Sequence, residues 1–308
     1  MSVSLAVSVL GLHFQNPILL AAGTAAYGRE LADVMPLEEL GGFVTKAVSL
    51  ESRPGAPAPR VADFAGGMIN AVGLANPGVD IVLAHDLPWI AANVRRPRVL
   101  VNVVGREAAD FGAVVARLDQ AAGVDGYELN VSCPNVKQGG LEFGADPVAL
   151  AEAVRGARAA TRKPIFVKLS PTLPQIGDAA IRAVDAGADG ITVVNTIPGL
   201  VIDVELRRPV LGFGSGGVSG PGLLAVGLLA VRRVRQSVTV PIIGAGGAQH
   251  VTDVVQYLMA GASLVAVGTA ALADPKLPAR LVRDLGRWCA AHEVSRVADL
   301  IGTLEWPS

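Results

Sequence analysis

The chain has 308 residues, 51% of them apolar and 17% charged, with a formal net charge of −1. That balance offers no basic stripe for nucleic acid and no acidic tail, and so little charge excludes a disordered chain in favour of one with a large buried core. Aromatics make up only 4%, so the core has to be built from Ala, Val, Leu and Ile, while 36 glycines and 20 prolines imply many tight turns. The length suits two ordinary domains or one α/β barrel, which commonly runs to about 250 residues or more. The two cysteines, Cys133 and Cys289, supply neither a disulfide framework nor the full set of thiolates an iron–sulfur cluster usually takes. A reduced, cytoplasmic chain is the expectation.

At the N-terminus, Val3, Leu5, Val7 and Val9 alternate with Ser2, Ser4, Ala6 and Ser8. A period of two without a basic leader reads as a strand rather than the apolar stretch of a signal peptide. No window reaches the roughly 18 uninterrupted apolar residues of a membrane-spanning helix. Further on, short apolar runs alternate with Ala-rich stretches of helical length. The pattern predicts strands at 18–21, 43–46, 99–103, 127–131, 165–169, 191–194, 241–244 and 264–267. Between and after them it predicts helices at 78–93, 106–122, 146–161, 174–187, 220–236, 250–260 and 276–292. The strands are almost continuously apolar, as parallel strands covered on both faces are. Asp146-Pro147 and Ser219-Gly220-Pro221 each place a capping residue ahead of a Pro near the first helical turn, and Gly123, Gly187 and Gly261 stand where helices end.

Eight strands alternating with helices give an α/β fold, a (β/α)8 TIM barrel. A doubly wound open sheet would carry its glycine fingerprint after the first strand, whereas the phosphate-type glycines here follow the seventh and eighth. With no linker and no shift in composition, residues 1–308 are expected to form a single domain. Two insertions, 47–77 and 195–219, interrupt the rhythm; both follow strand C-termini, where barrel loops build sites.

The polar residues at those strand ends make the candidate site. Gly23 and Thr24 follow the first strand, Lys46 ends the second, Asn102 lies in the third, Asn130 ends the fourth with Cys133 and Asn135 beyond it, and Lys168 ends the fifth. Asn195 and Thr196 follow the sixth strand, Gly244, Gly246 and Gly247 the seventh, and Gly268 and Thr269 the eighth. Any one of them could be an ordinary loop residue; the whole register points to a ligand site. Bare backbone N–H groups in IIGAGG and AVGTA suit a phosphate. Of only five lysines, Lys46 and Lys168 end apolar strands. A buried ammonium needs an anionic or strongly polar partner, either a protein carboxylate or a ligand. Glu128 is the one carboxylate near a matching strand end, and alternation is expected to turn it away from Asn130, which leaves an anionic ligand, such as a reduced flavin or a substrate carboxylate. Asn70, Asn130, Asn135 and Asn195 offer paired donors and acceptors that suit a cyclic imide or pyrimidine. Cys133, in NVSCPNVKQGG, is open to three readings, as base, nucleophile or inert thiol, whereas Cys289 on an Ala-rich helix reads as packing. His13, His85, His250 and His292 read as structural or surface residues.

The phrases NPILLAAG at 16–23, GGFVTKAV at 41–48, RPGAPAPR at 53–60, GMINAVGLANPG at 67–78 and ELNVSCPNVKQGG at 128–140 occur in one order with FVKLSP at 166–171, NTIPG at 195–199, GGVSGPG at 216–222, IIGAGG at 242–247 and AVGTA at 266–270. In that order, over most of its length, the chain resembles the dihydroorotate dehydrogenase family, FMN-dependent barrel enzymes of pyrimidine synthesis. The resemblance implies that Cys133 is the base that takes the C5 proton of dihydroorotate, with hydride passing from C6 to flavin N5. It implies substrate contacts at Lys46, Asn70, Ala71, Val72, Gly73, Leu74, Asn130, Asn195 and Thr196. It implies flavin contacts at Ala22, Lys46, Ala47, Asn102, Asn130, Lys168, Val194, Gly220, Gly246, Gly247, Gly268 and Thr269, the glycines and Thr269 mostly at the phosphate end. Ala22 stands where the family usually has Ser, and GFGSGGVSG at 212–220 replaces a more polar version.

A Cys rather than a Ser at position 133 resembles the soluble class 1, and CPNVKQGG the branch whose catalytic subunit, a homodimer, forms a heterotetramer with an electron-transfer subunit carrying FAD and a 2Fe–2S cluster and using NAD. Two thiols cannot hold that cluster, which places it in the partner. Three alternatives remain beside this reading: the fumarate-linked branch of class 1, a dihydropyrimidine dehydrogenase-like reductase of uracil, and a non-catalytic flavin-binding subunit. No metal site is expected.

Overall fold

The computed structural model describes residues 3–132 and 142–307. Its centre is a closed barrel of eight parallel strands: β1 (Ile18–Leu20), β2 (Gly42–Val44), β3 (Arg98–Val103), β4 (Gly126–Asn130), β5 (Ile165–Leu169), β6 (Gly190–Val193), β7 (Ile242–Ala245) and β8 (Leu264–Val267). Neighbours in sequence are neighbours in the sheet, and β8 pairs back onto β1 with Ala266 opposite Leu19. All eight predicted strands are therefore present, each within a few residues of its expected ends. Side chains from alternate positions fill the interior, large against small. Phe166 is fully buried beside Gly190, where a Cβ would lie 2.4 Å from its ring, and a Cβ on Gly126 would meet Leu100 at 2.9 Å.

The outer helices are α1 (Leu87–Asn93), α2 (Ala108–Leu118), α3 (Pro147–Ala160), α4 (Ile176–Asp185), α5 (Leu223–Ser237), α6 (Val251–Ala260) and α7 (Leu277–Ala291). The helix predicted over 78–93 is present as an unbroken helical run over 79–93, of which α1 is the last part; a π-helical turn at Val82–Asp86 interrupts its hydrogen-bond pattern just before Pro88, which has no N–H to donate to the preceding turn. Asp146 caps α3 as expected, its Oδ1 accepting from Val148 N at 2.7 Å and Ala149 N at 3.1 Å. The Ser219 cap is not formed. Ser219 ends a strand, α5 starts only at Leu223, and the Ser219 hydroxyl is engaged by Thr269. Gly261 closes α6 in the left-handed region at φ +116°, as a C-terminal glycine should.

At the end of the barrel where strands begin, an antiparallel hairpin (Val7–Val9 with Leu12–Phe14) meets β3, and Arg98 Nε donates to His13 O at 2.9 Å. The opposite end is covered by the two insertions, which pair with each other. Val61–Phe64, Gly67–Asn70, Gly216–Ser219 and Ile197–Gly199 form one antiparallel sheet in that spatial order, with Val218 opposite Ile69. Ile69 is fully buried beneath it. This sheet and the C-terminal ends of β1–β8 enclose the site.

Candidate active site

Inside the barrel the register puts Asn102 opposite Glu128, Asn130 opposite Lys168, and Lys168 opposite Thr192. Glu128 and Asn130 are two apart on one strand and share the inward face, so the expectation that Glu128 points away is corrected. Glu128 is 1% exposed, and its Oε1 accepts from Asn102 Nδ2 at 2.8 Å. That bond fixes the Asn102 carboxamide. Lys168, 7% exposed, forms no ion pair with a carboxylate among the described residues.

Above this layer opens a cavity of about 860 Å³, within the range of small-molecule sites. Nearly every expected site residue that falls among the described residues lines it: Ala22, Gly23, Thr24, Lys46, Ala47, Asn70 through Leu74, Asn102, Asn130, Lys168, Val194, Asn195, Thr196, Gly220, Gly246, Gly247, Gly268 and Thr269; Gly244 does not, and packs against the Tyr257 ring instead. Cys133 and Asn135 lie outside the described residues; Ser132, next to Cys133, is on the cavity wall. Cys289 is buried on α7, and burial pushes its thiol up, in keeping with a packing role.

Local structure holds these side chains in place. Asn195 Oδ1 accepts from Thr196 N at 2.9 Å, which turns Nδ2 towards Asn130 Oδ1 at 3.4 Å. Asn70 Nδ2 donates to Gly217 O at 3.3 Å, across the joined insertions. The 70–74 turn is tied down from outside: buried Asn76 donates to Leu74 O at 2.8 Å and accepts from Gly78 N at 2.9 Å, and Ala56 N donates to Val72 O at 3.1 Å. Tyr27 Oη donates to Ala47 O at 3.0 Å. A polar site built this way needs little rearrangement to receive a ligand.

Four cationic side chains, Lys46, Arg53, Arg106 and Lys168, face the cavity against one carboxylate, Glu142, so an anion is favoured there. Burial raises the Glu142 carboxyl above its ordinary value, partly offset by the Ser170 hydroxyl that hydrogen-bonds it. At the β7–β8 end, Gly268 has room for a Cβ, with the nearest atom at 3.5 Å, yet carries none, while Gly246 holds φ +118°, a backbone conformation that favours glycine. Bare backbone there, with Thr269 Oγ1 donating to Ser219 Oγ at 2.7 Å, fits a phosphate, and Lys168 with Asn102 fits the polar edge of a flavin. Sequence reasoning missed Arg53, Arg106, Glu142 and Phe213 on the wall. Arg53 sits in the quoted phrase RPGAPAPR and Phe213 in GFGSGGVSG; Arg106 and Glu142 gave no signal.

No helix among the described residues is long and apolar enough to cross a membrane, and no group of three metal-ligating side chains occurs among them.

The dihydroorotate dehydrogenase family model matches residues 4–288. A dihydroorotate dehydrogenase B (NAD(+)) catalytic subunit from Pelobacter propionicus is 43% identical over 305 residues, covering 99% of this chain and 100% of that one. A Geobacter sp. (strain M21) protein of the same name is 44% identical over 98% of each chain. A Solibacter usitatus protein named for the fumarate-linked type A is 43% identical over 99% of this chain and 100% of its own. A crystal structure of the Eimeria tenella enzyme in complex with ferulenol superposes with a TM-score of 0.81 at 24% identity, covering 97% of this chain and 88% of that chain, and so shares the fold. From residue 4 to residue 288, on a barrel whose cavity gathers its expected polar residues, this chain belongs to the dihydroorotate dehydrogenase family.

Proposed function

We propose that this chain oxidises dihydroorotate to orotate in pyrimidine biosynthesis, with residues 1–308 acting as one FMN-binding domain. The observation that carries the reading is the cavity itself: a cationic, amide-lined pocket at the barrel's C-terminal face, in a chain 43% identical over full length to a named catalytic subunit. Lys168 and Asn102 would hold the polar edge of the flavin. Ala22, Ala47 and Val194 would pack along it, and Gly220, Gly246, Gly247, Gly268 and Thr269 would hold its phosphate. FMN, when bound, supplies the acceptor for the hydride that leaves C6.

The chain's own residues do the rest. Lys46 brings a positive charge that suits the carboxylate of dihydroorotate. Asn70, Asn130, Asn195 and Thr196, with the turn Ala71–Leu74, supply amide and backbone partners for a ring that presents N–H and C=O groups on its edges. Cys133 takes the C5 proton as general base; it directly follows the wall residue Ser132. The carboxylate on the ligand also separates this activity from uracil reduction, since four cations on the wall favour the acid.

Electrons then leave through a partner subunit carrying FAD and a 2Fe–2S cluster to NAD, in a heterotetramer built on a homodimer of this chain. Support comes from the NAD(+)-linked catalytic subunits among the relatives and from a chain with only two cysteines. The Solibacter usitatus relative favours fumarate as a second candidate acceptor. The deciding experiment is anaerobic reduction of the purified, FMN-loaded chain by dihydroorotate and, separately, by dihydrouracil, followed by reoxidation with NAD, fumarate or a quinone. Bleaching by dihydroorotate is expected, with no NAD turnover until the electron-transfer subunit is added. Turnover of dihydrouracil alone would sink the substrate assignment, and rapid reoxidation by fumarate would sink the NAD branch.

A further inference from the structure

Tyr257 is fully buried on α6 and is not part of the cavity wall, yet its hydroxyl donates to the Gly246 carbonyl oxygen at 2.6 Å. Gly246 directly follows β7 at φ +118°, and Gly247 follows at φ +73°; both line the cavity. The surrounding fold makes room for this phenol. A Cβ on Gly227, in the middle of α5, would lie 2.0 Å from the Tyr257 hydroxyl, and one on Gly244 in β7 would lie 2.4 Å from the ring. Glycine inside a helix or a strand is a destabilising choice, and here both glycines vacate space for the same side chain. Asp253, buried on the same helix, holds the other end of the loop: its Oδ2 accepts from Gln249 N at 2.9 Å and His250 N at 2.8 Å. Burial raises the phenol above its ordinary range, with Asp253 adding to the effect, so the hydroxyl stays a donor.

In a trans peptide the N–H points opposite to the C=O. A Gly246 carbonyl drawn towards buried Tyr257 therefore turns the Gly247 N–H the other way, towards the cavity. We propose that Tyr257 is a positioning residue that sets the Gly246–Gly247 peptide to bind a phosphate monoester. This rests on assigning the β7–β8 end of the cavity to the FMN phosphate.

The test titrates FMN and riboflavin, which has the same ring system without the phosphate, onto the flavin-free chain and its Tyr257→Phe variant, following flavin fluorescence. Tyr257→Phe is expected to weaken FMN about fivefold to tenfold, the effect of one lost hydrogen bond, and to leave riboflavin unchanged. An FMN-over-riboflavin preference equal to that of the unaltered chain would overturn the role, and so would equal weakening of both flavins, which would mark Tyr257 as packing. No preference for FMN in the unaltered chain would overturn the phosphate assignment and this inference with it. Gly227→Ala presses on the hydroxyl without removing it and is expected to reduce the FMN preference as well, but not further in a Tyr257→Phe background. Additive losses in that pair would count against the proposal, and the single Gly227→Ala variant supplies the measurement if Tyr257→Phe fails to fold.

Discussion

Lys168 offers the sharpest test of the cavity, because its effects on folding and on binding should have opposite signs. Lys168 is 7% exposed at the end of β5, opposite Asn130 and Thr192, and Glu128 on the same inward face has its Oε1 engaged by Asn102. The protein alone leaves that charge desolvated with no carboxylate paired to it among the described residues. Lys168→Met keeps an unbranched stem and removes the charge. The flavin-free variant should therefore be as stable as the unaltered chain, or more stable by up to about 1 kcal/mol. FMN should suffer: a charge-assisted hydrogen bond is worth about 1.5–3 kcal/mol, and at about 1.4 kcal/mol per decade its loss weakens binding roughly 10- to 150-fold. Urea unfolding of the flavin-free chain reads the first quantity and FMN titration the second. A loss of flavin-free stability of about 2 kcal/mol or more would mean that Lys168 is neutralised inside the fold; an FMN affinity within about twofold of the original would mean that it does not face the flavin.

Cys133→Ala should retain FMN but slow its bleaching by dihydroorotate about 10²- to 10⁴-fold, the usual contribution of a general base; a rate within about threefold of the original would refute the assignment. All three tyrosines, Tyr27, Tyr127 and Tyr257, are buried, and burial foremost raises each phenol above its ordinary 10.0. Raised phenol values contribute stability below 10.0 that is lost as pH climbs through the folded-state values, so phenolate absorbance should appear only together with cooperative loss of circular dichroism. Smooth titration centred near 10.0 in a folded chain would contradict this burial. Glu142, also raised by burial, contributes stability below its ordinary 4.5 that is lost as pH rises, so Glu142→Gln should melt about 1–2 °C higher than the unaltered flavin-free chain near neutral pH. The gain should vanish below 4.5, and a gain that persists in acid would rule out the carboxyl's titration as its cause.

The barrel was legible because each of its strands is covered on both faces, which writes it into the sequence as an unbroken apolar run. Lys46, Asn102, Asn130 and Lys168 stood out for the same reason: a polar side chain at the end of such a run has nowhere to go but the barrel mouth. The sheet over that mouth was not legible. Asn70 and Gly217, paired in that sheet, lie 147 positions apart in sequence, and a strand of four residues is too short to show a periodicity. Ser-Gly-Pro is a capping phrase, and the pairing of Ser219 with Met68 overrides that local preference.

Glu128 shows how much rests on parity within a strand. Residues two apart share a face, so a carboxylate two residues before Asn130 has to point inward, and its partner has to come from the level position on the neighbouring strand. That position is Asn102, and the 2.8 Å bond between them joins a residue with no expected role to one assigned to the flavin. Parity carries such inferences only as far as the strands run. Arg53, Arg106, Glu142 and Phe213 reach the same cavity from outside the strands of the barrel, where chain position says nothing about direction, and Tyr257 acts on it from a helix behind the wall through a backbone carbonyl. The part of the site that the strands deliver can be read from the sequence; the part that loops and supporting helices deliver needs the fold.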